Sequence, residues 1–288
     1  MAERGAVALY ESLARFQWRR ARRGVAPDAL EGLELRKRLL PPGSADGPDD
    51  GGEGLDRWLR GLAGGCDGAR VLDLGCGFGV SLFRALDAGA SAAVGITPSS
   101  YQVARAGEVA NARGVRARAT FEVRSMHAAL PPADLVLAIE ALGHTFELAD
   151  VLHNVATALG GGGRFLWLED VLRDDPGEDP GQDPDVRGLA AAWSSPPLRR
   201  AAGCDAALRA AGLRVVDEFD LTGQVARREV TAIDRSLRRL RGLLRLTPLP
   251  FARRILRAFV GGLHLERLYA RGLACYRLVM TERTRDRA

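Results

Sequence analysis

The chain has 288 residues, 47% of them hydrophobic, which suits one domain with elaborations and excludes a disordered chain. Its four scattered cysteines, Cys66, Cys76, Cys204 and Cys275, form no C-x-x-C pair, which excludes a zinc ribbon or disulfide scaffold and fits a reducing cytoplasm. The net charge of +5 rests on arginine, with Lys37 the sole lysine, and no basic run is interleaved with aromatics as single-strand nucleic-acid binders require.

No stretch reads as a signal peptide or approaches the roughly 20 apolar residues of a membrane span, so a cytoplasmic protein is expected. Leu9, Leu13 and Phe16 share one face of a predicted helix at 3–23. A second helix is predicted at 28–40, with Leu30, Leu33 and Leu40. Residues 1–54 are therefore read as a helical cap ending in a Pro/Gly/Asp linker at 41–54. A short helix at 55–62 leads into the core.

From Arg70 the pattern alternates strand and helix, which argues for an α/β fold with a Rossmann-like doubly wound sheet. Strands are predicted at 70–74, 92–97, 119–124, 134–139, 163–169, 213–221 and 274–281, giving seven. Helices fall at 78–88, 99–113, 147–159 and 205–212. The core is read as 55–223, interrupted by a cap loop at 174–204 whose first part, 174–185, is acidic and rich in Pro and Gly. Residues 224–272 form a helical cap insertion, and 273–288 supply the last strand and a tail. In 223–288 there are 16 arginines against 5 acids. Such a surface is the solvated face of a cap helix, or it rests on an anionic membrane.

The chemistry gathers after the strand ends, where open α/β sheets bind ligands. After the first strand comes Asp73-Leu74-Gly75-Cys76-Gly77-Phe78-Gly79. Its third glycine follows the second by two residues, one fewer than the dinucleotide fingerprint. The form resembles the D-x-G-x-G-x-G motif of class I S-adenosylmethionine-dependent methyltransferases. The resemblance implies a seven-stranded sheet with the last strand antiparallel. It also implies S-adenosyl-L-methionine as cofactor, held by Asp73, Gly75, Cys76, Gly77 and Gly79.

After the second strand, Gly95-Ile96-Thr97-Pro98-Ser99-Ser100-Tyr101-Gln102 has no acid for a ribose. Thr97 stands in its place. The form is similar to that of cyclopropane synthases, sterol and tocopherol methyltransferases and natural-product methyltransferases, and it implies cofactor contacts from Ile96, Thr97 and Gln102. After the third strand, Ser125 and Met126 are the candidates for the adenine. After the fourth, Ile139-Glu140-Ala141-Leu142-Gly143-His144 looks like the sterol- and tocopherol-type signature. That implies cofactor contact by Ile139, with His144 and Glu140 as the catalytic pair. Cyclopropane synthases carry a bicarbonate-binding Glu just before the matching His, and here that residue is Gly143. No metal site is expected. The expected partner is a small, hydrophobic acceptor methylated at carbon or oxygen: a terpenoid, sterol-like or polyketide-type molecule. Two alternatives stand beside it, a sugar or phenolic O-methyltransferase and a non-catalytic cofactor-binding or lipid-surface protein.

Overall fold

The computed structural model describes residues 2–34, 36, 37, 39, 53–174, 180–225 and 228–284. Seven strands form one sheet: β1 (Arg70–Leu74), β2 (Ala92–Thr97), β3 (Ala119–Val123), β4 (Ala133–Ile139), β5 (Leu159–Leu172), β6 (Leu213–Asp220) and β7 (Ala274–Arg283). Their order is β3-β2-β1-β4-β5-β7-β6. β1 to β5 pair in parallel, and β7 runs antiparallel to both β5 and β6. The expected fold class is what the structure has, including the reversed last strand.

The helices are α1 (Ala2–Ala21), α2 (Glu53–Leu62), α3 (Val80–Asp87), α4 (Ser100–Ala112), α5 (Leu148–Ala158), α6 (Pro184–Trp193), α7 (Ala201–Ala210), α8 (Val230–Leu246) and α9 (Pro250–Ala270). β1 is the topological switch point, with β2 on one side and β4 on the other, and the ends of these strands open a crevice. α3 closes tightly on the sheet because Gly95 in β2 has no side chain: a Cβ there would fall 2.7 Å from Cys76 Sγ and 2.9 Å from Leu82 Cδ1.

Three elements differ from expectation. Of the helix expected at 28–40, residues 35, 38 and 40 lie outside the described residues, and the others form no helix. They run as turns and extended chain because Gly24 and Gly32 take left-handed backbone (φ 72° and 71°) and Pro27 lies between them. Leu33 is still buried in the core, so the leucine spacing marks contact and not helix. β5 opens at Leu159 and not at the predicted 163, so Gly160 to Gly163 belong to the strand, directly after α5 stops at Ala158. The acidic insertion contains α6, started by Asp183, whose side chain accepts from the amides of Asp185 and Val186, with Pro184 at the first helical position. Of the expected linker, 41–52 lie outside the described residues, as do 175–179 of the acidic loop.

Candidate active site

A cavity of about 510 Å³ lies beyond the ends of β1, β2 and β4. Asp73, Gly75, Cys76, Gly77, Thr97, Gln102, Ser125, Met126, Ile139, Glu140 and His144 all line it. Gly79 and Ile96 do not. Gly79 caps α3, and Ile96 is packed at 1% exposure in the core.

The glycine turn divides its labour in a way its spacing hides. The amides of Gly75 and Cys76 both donate to the Ile96 carbonyl, at 2.9 and 3.2 Å, and that of Gly79 to the Cys76 carbonyl at 2.8 Å. Among the described residues, the Gly77 and Phe78 amides have no backbone acceptor and are left for a ligand. Gly75 and Gly79 are required by packing: a Cβ would fall 2.7 Å from Ala141 Cβ and 2.5 Å from the Phe121 ring, respectively, at φ of 76° and 79°. Phe78, inside the turn, packs on Trp18 of α1 with ring centroids 5.3 Å apart.

The donor side of the cavity is polar and largely neutral. Burial, then the nearby Asp56, pushes the Asp73 carboxyl up to about 8, with Arg36 opposing. It is protonated at neutral pH and can donate as well as accept. The Thr97 hydroxyl donates to Gln102 Oε1 at 2.7 Å, which leaves the Gln102 amide nitrogen as the donor. Ser99 caps α4 by accepting from the Gln102 amide, and its hydroxyl reaches Glu11 of α1 at 3.3 Å. Ser125 is exposed and Met126 half-buried at the third strand end, beside His127, which hydrogen-bonds Thr145 at 2.9 Å.

The other side is walled by Ala6, Leu9, Tyr10 and Leu13 of α1, Trp193 of α6 and Phe259 of α9. The Trp193 indole N–H donates to the Ala258 carbonyl at 3.0 Å, tying α6 to α9. His144 stands here. Its Nε2 shares a hydrogen bond with the Tyr10 hydroxyl, and its Nδ1 is buried with no partner among the described residues. Burial above all, with Lys37 and Arg199, holds the imidazole down to about 4 against the pull of Glu140. It is uncharged at neutral pH.

Glu140 is tied to both ends of the chain. Its Oε1 accepts from the Lys37 amide at 2.9 Å and the Tyr276 hydroxyl at 2.8 Å, and lies 3.2 Å from Lys37 Nζ. These bonds hold it in a left-handed backbone conformation, φ 52°, that L-residues adopt at a cost of roughly 1–2 kcal/mol. Lys37 Nζ also pairs with Asp170 Oδ2 at 2.6 Å, and the Tyr269 hydroxyl donates to the same carboxylate. The sequence had marked Glu140 for chemistry, but Lys37, Tyr269 and Tyr276 carried no signal beyond Lys37's being the sole lysine.

Glu169 fills the space next to Gly143. It accepts from the Gly143 amide at 2.7 Å, and a Cβ on residue 143 would fall 3.1 Å from its carboxyl carbon. A side chain at 143 would therefore crowd the Glu169 carboxyl, which would have to shift by a few tenths of an ångström. Burial, then Asp170, pushes Glu169 up to about 8, against the Gly143 hydrogen bond and Lys37. The unfolded value is about 4.3. Between these values the native state holds a proton that the unfolded state lacks, so stability falls as pH rises through this window. Glu169→Gln keeps a neutral side chain. In urea titrations between about pH 6 and 9, the variant is expected to lose less stability than the wild type. Equal losses would show that Glu169 ionises as an ordinary carboxylate.

Residues 72–165 match the family model described as "Methyltransferase domain". That stretch, from β1 into β5, resembles a methyltransferase domain. A curated relative, the 27-O-demethylrifamycin SV methyltransferase of Amycolatopsis mediterranei (strain S699), is 37% identical over 100 residues. That stretch is 34% of this chain and 37% of the relative, so the likeness spans little more than a third of either. Among solved structures, the geranyl diphosphate C-methyltransferase of Streptomyces coelicolor A3(2), in complex with Mg2+, geranyl diphosphate and S-adenosyl-L-homocysteine, superposes with a TM-score of 0.68 at 16% identity, covering 96% of this chain and 98% of that one. The cyclopropane synthase MmaA2 of Mycobacterium tuberculosis gives 0.69 at 14% identity, covering 87% and 90%. These two likenesses establish the fold.

The cofactor of the methyltransferase domain is S-adenosylmethionine, and the residues present fit it. The free Gly77 and Phe78 amides at the start of α3 suit a carboxylate, since the helix dipole is positive there. A neutral Asp73, the Gln102 amide and the Ser125 hydroxyl suit ribose, amine and base edges, and Met126 offers an apolar face. Among the described residues no group of three metal-ligating side chains is close enough to hold a metal ion, and no helix is long and apolar enough to cross a membrane.

Proposed function

We propose that this protein methylates a small, largely apolar molecule, of terpenoid, sterol-like or polyketide type, at carbon or oxygen. S-adenosylmethionine, when bound, supplies a methyl group already activated on a sulfonium. The residues then have three tasks. The turn at 75–79 and Gln102 fix the donor. Leu9, Leu13, Trp193 and Phe259 hold the acceptor and exclude water. His144, neutral at assay pH, takes a proton from the acceptor where the reaction releases one. Glu140, held by Lys37 and Tyr276, positions the His144 loop.

The observation that carries this reading is one continuous cavity with a polar, glycine-rich end and an apolar end, with His144 between them. Calorimetry with S-adenosylmethionine is the first test, and absence of binding would end the enzyme reading. Incubation with isotopically labelled donor and a host metabolite extract follows. Mass spectrometry and NMR of the labelled product then report the methylated atom. An added methyl on a sugar or phenolic hydroxyl would overturn the apolar acceptor.

A further inference from the structure

The proposed methyl-transfer site makes no use of the two apolar side chains most exposed among the described residues. Leu246 is 82% exposed and Leu249 65%, at the turn joining α8 to α9, with the exposed Leu243 and Phe251 beside them. The hairpin has its own small core of Ile233, Leu237, Val260 and Leu263, which reaches only as far as Leu240. Beyond that, Leu243, Leu246 and Leu249 join no core cluster among the described residues.

The charge around them is of one sign. Residues 235–265 carry eight arginines, between Arg235 and Arg257, and no acid. All eight are exposed. The flanking acids are engaged elsewhere, Asp234 with Arg267 and Glu266 with Arg228. An apolar tip collared by arginines is unsuited to water, and equally unsuited to a second copy of itself, which would bring like charges together. It suits a surface whose interior is apolar and whose rim is anionic.

We propose that the α8–α9 turn docks on an anionic lipid bilayer, with Leu246 and Leu249 entering the acyl boundary and the arginines meeting headgroup phosphates. Long arginine side chains keep their charged ends at the headgroups while their stems lie along the apolar zone. The placement continues toward the site. Phe251 and Phe259 lie two turns apart on α9, and Phe259 is both 53% exposed and part of the cavity wall. From Leu249 to Phe259 is about 15 Å along the helix. Docking therefore brings the rim of the apolar end of the cavity to the lipid surface, where an apolar acceptor partitions. This last step rests on the function proposed above; the docking does not.

The test is co-sedimentation of the full chain with phosphatidylcholine vesicles, with and without about 30% phosphatidylglycerol, at about 50 and 500 mM salt. Binding roughly tenfold or more tighter to the anionic vesicles at low salt is expected, and most of it is expected to be lost at high salt. Leu246→Ser with Leu249→Ser, and separately Arg238→Glu with Arg239→Glu, should each weaken binding about tenfold or more while S-adenosylmethionine affinity by calorimetry stays unchanged. Equal binding to both vesicle types, or a leucine double variant that binds like wild type, overturns the proposal. So does a dimer in sedimentation equilibrium that the leucine variant dissolves. Because vesicle binding is read without methyl transfer, docking and catalysis fail separately.

Discussion

Replacing His144 with Gln is expected to lower the methyl-transfer rate about 10²–10⁴-fold on an acceptor that must lose a proton, with donor affinity little changed. Rate and stability should move in opposite directions. A buried nitrogen without a partner costs about 1–3 kcal/mol, and His144 Nδ1 is such a nitrogen. A histidine kept only for packing has no reason to carry that cost, so its removal should leave stability unchanged or raised while the rate falls. The pH profile is constrained too. Burial holds the imidazole down to about 4, so wild-type kcat/KM should be flat through neutrality and fall only as pH drops toward that value. The Gln variant should lose this acid limb. Urea titration beside a pH–rate series checks both points. A variant that keeps its rate, or loses rate and stability together, would leave His144 a structural residue.

Replacing Lys37 with Met is expected to destabilise the protein by about 3–5 kcal/mol at pH 7, the usual result of removing one partner from a buried ion cluster. Lys37 stands against Asp170 and Glu140, with the Tyr276 ring 4.6 Å from its ammonium. Burial works against its charge, but Asp170 and Glu140 outweigh burial and raise its pKa. Without the ammonium, the buried Asp170 and the half-buried Glu140 carboxylates face each other with only hydroxyl and amide donors. A proton can take the place of the lost charge. The penalty should therefore shrink at pH 5, where Asp170, already pushed up by burial, protonates more readily. Urea midpoints at the two pH values measure this. A loss below about 1 kcal/mol at pH 7, or a pH-independent one, would mean that water reaches the cluster.

The sheet was legible because each parallel strand is an apolar run ended by glycine or a polar residue, and buried strands leave that pattern whatever surrounds them. The residues after β1, β2, β3 and β4 were legible for a topological reason, since ligands in such sheets meet the carboxyl ends of strands. The segment 28–34 was not. Its leucines at 30 and 33 have helical spacing, and Gly32 overrides it with a left-handed turn that spacing cannot register. Lys37 and Tyr276 were hidden because each reaches the site from more than 100 residues away in sequence, and periodicity carries no information at that range. The allocation of the turn's amides was also invisible, because all three glycines look alike until the carbonyl of Ile96 is seen to take two of the donors.

Glu140 receives a backbone N–H from 103 residues upstream and a hydroxyl from 136 residues downstream. On a ribosome those groups are made at opposite ends of the job. Residues 72–165 are synthesised with β5 still waiting for β7, and Glu140 has one of its hydrogen-bond donors, the Tyr276 hydroxyl, in a strand not yet translated. Contacts of such sequence separation are slow to form, so the pocket closes as a late event in folding and the nascent chain carries an open sheet edge until then. Glu140 thereby reports that the chain on both sides of the parallel strands, residue 37 before β1 and Tyr276 in β7, has come together.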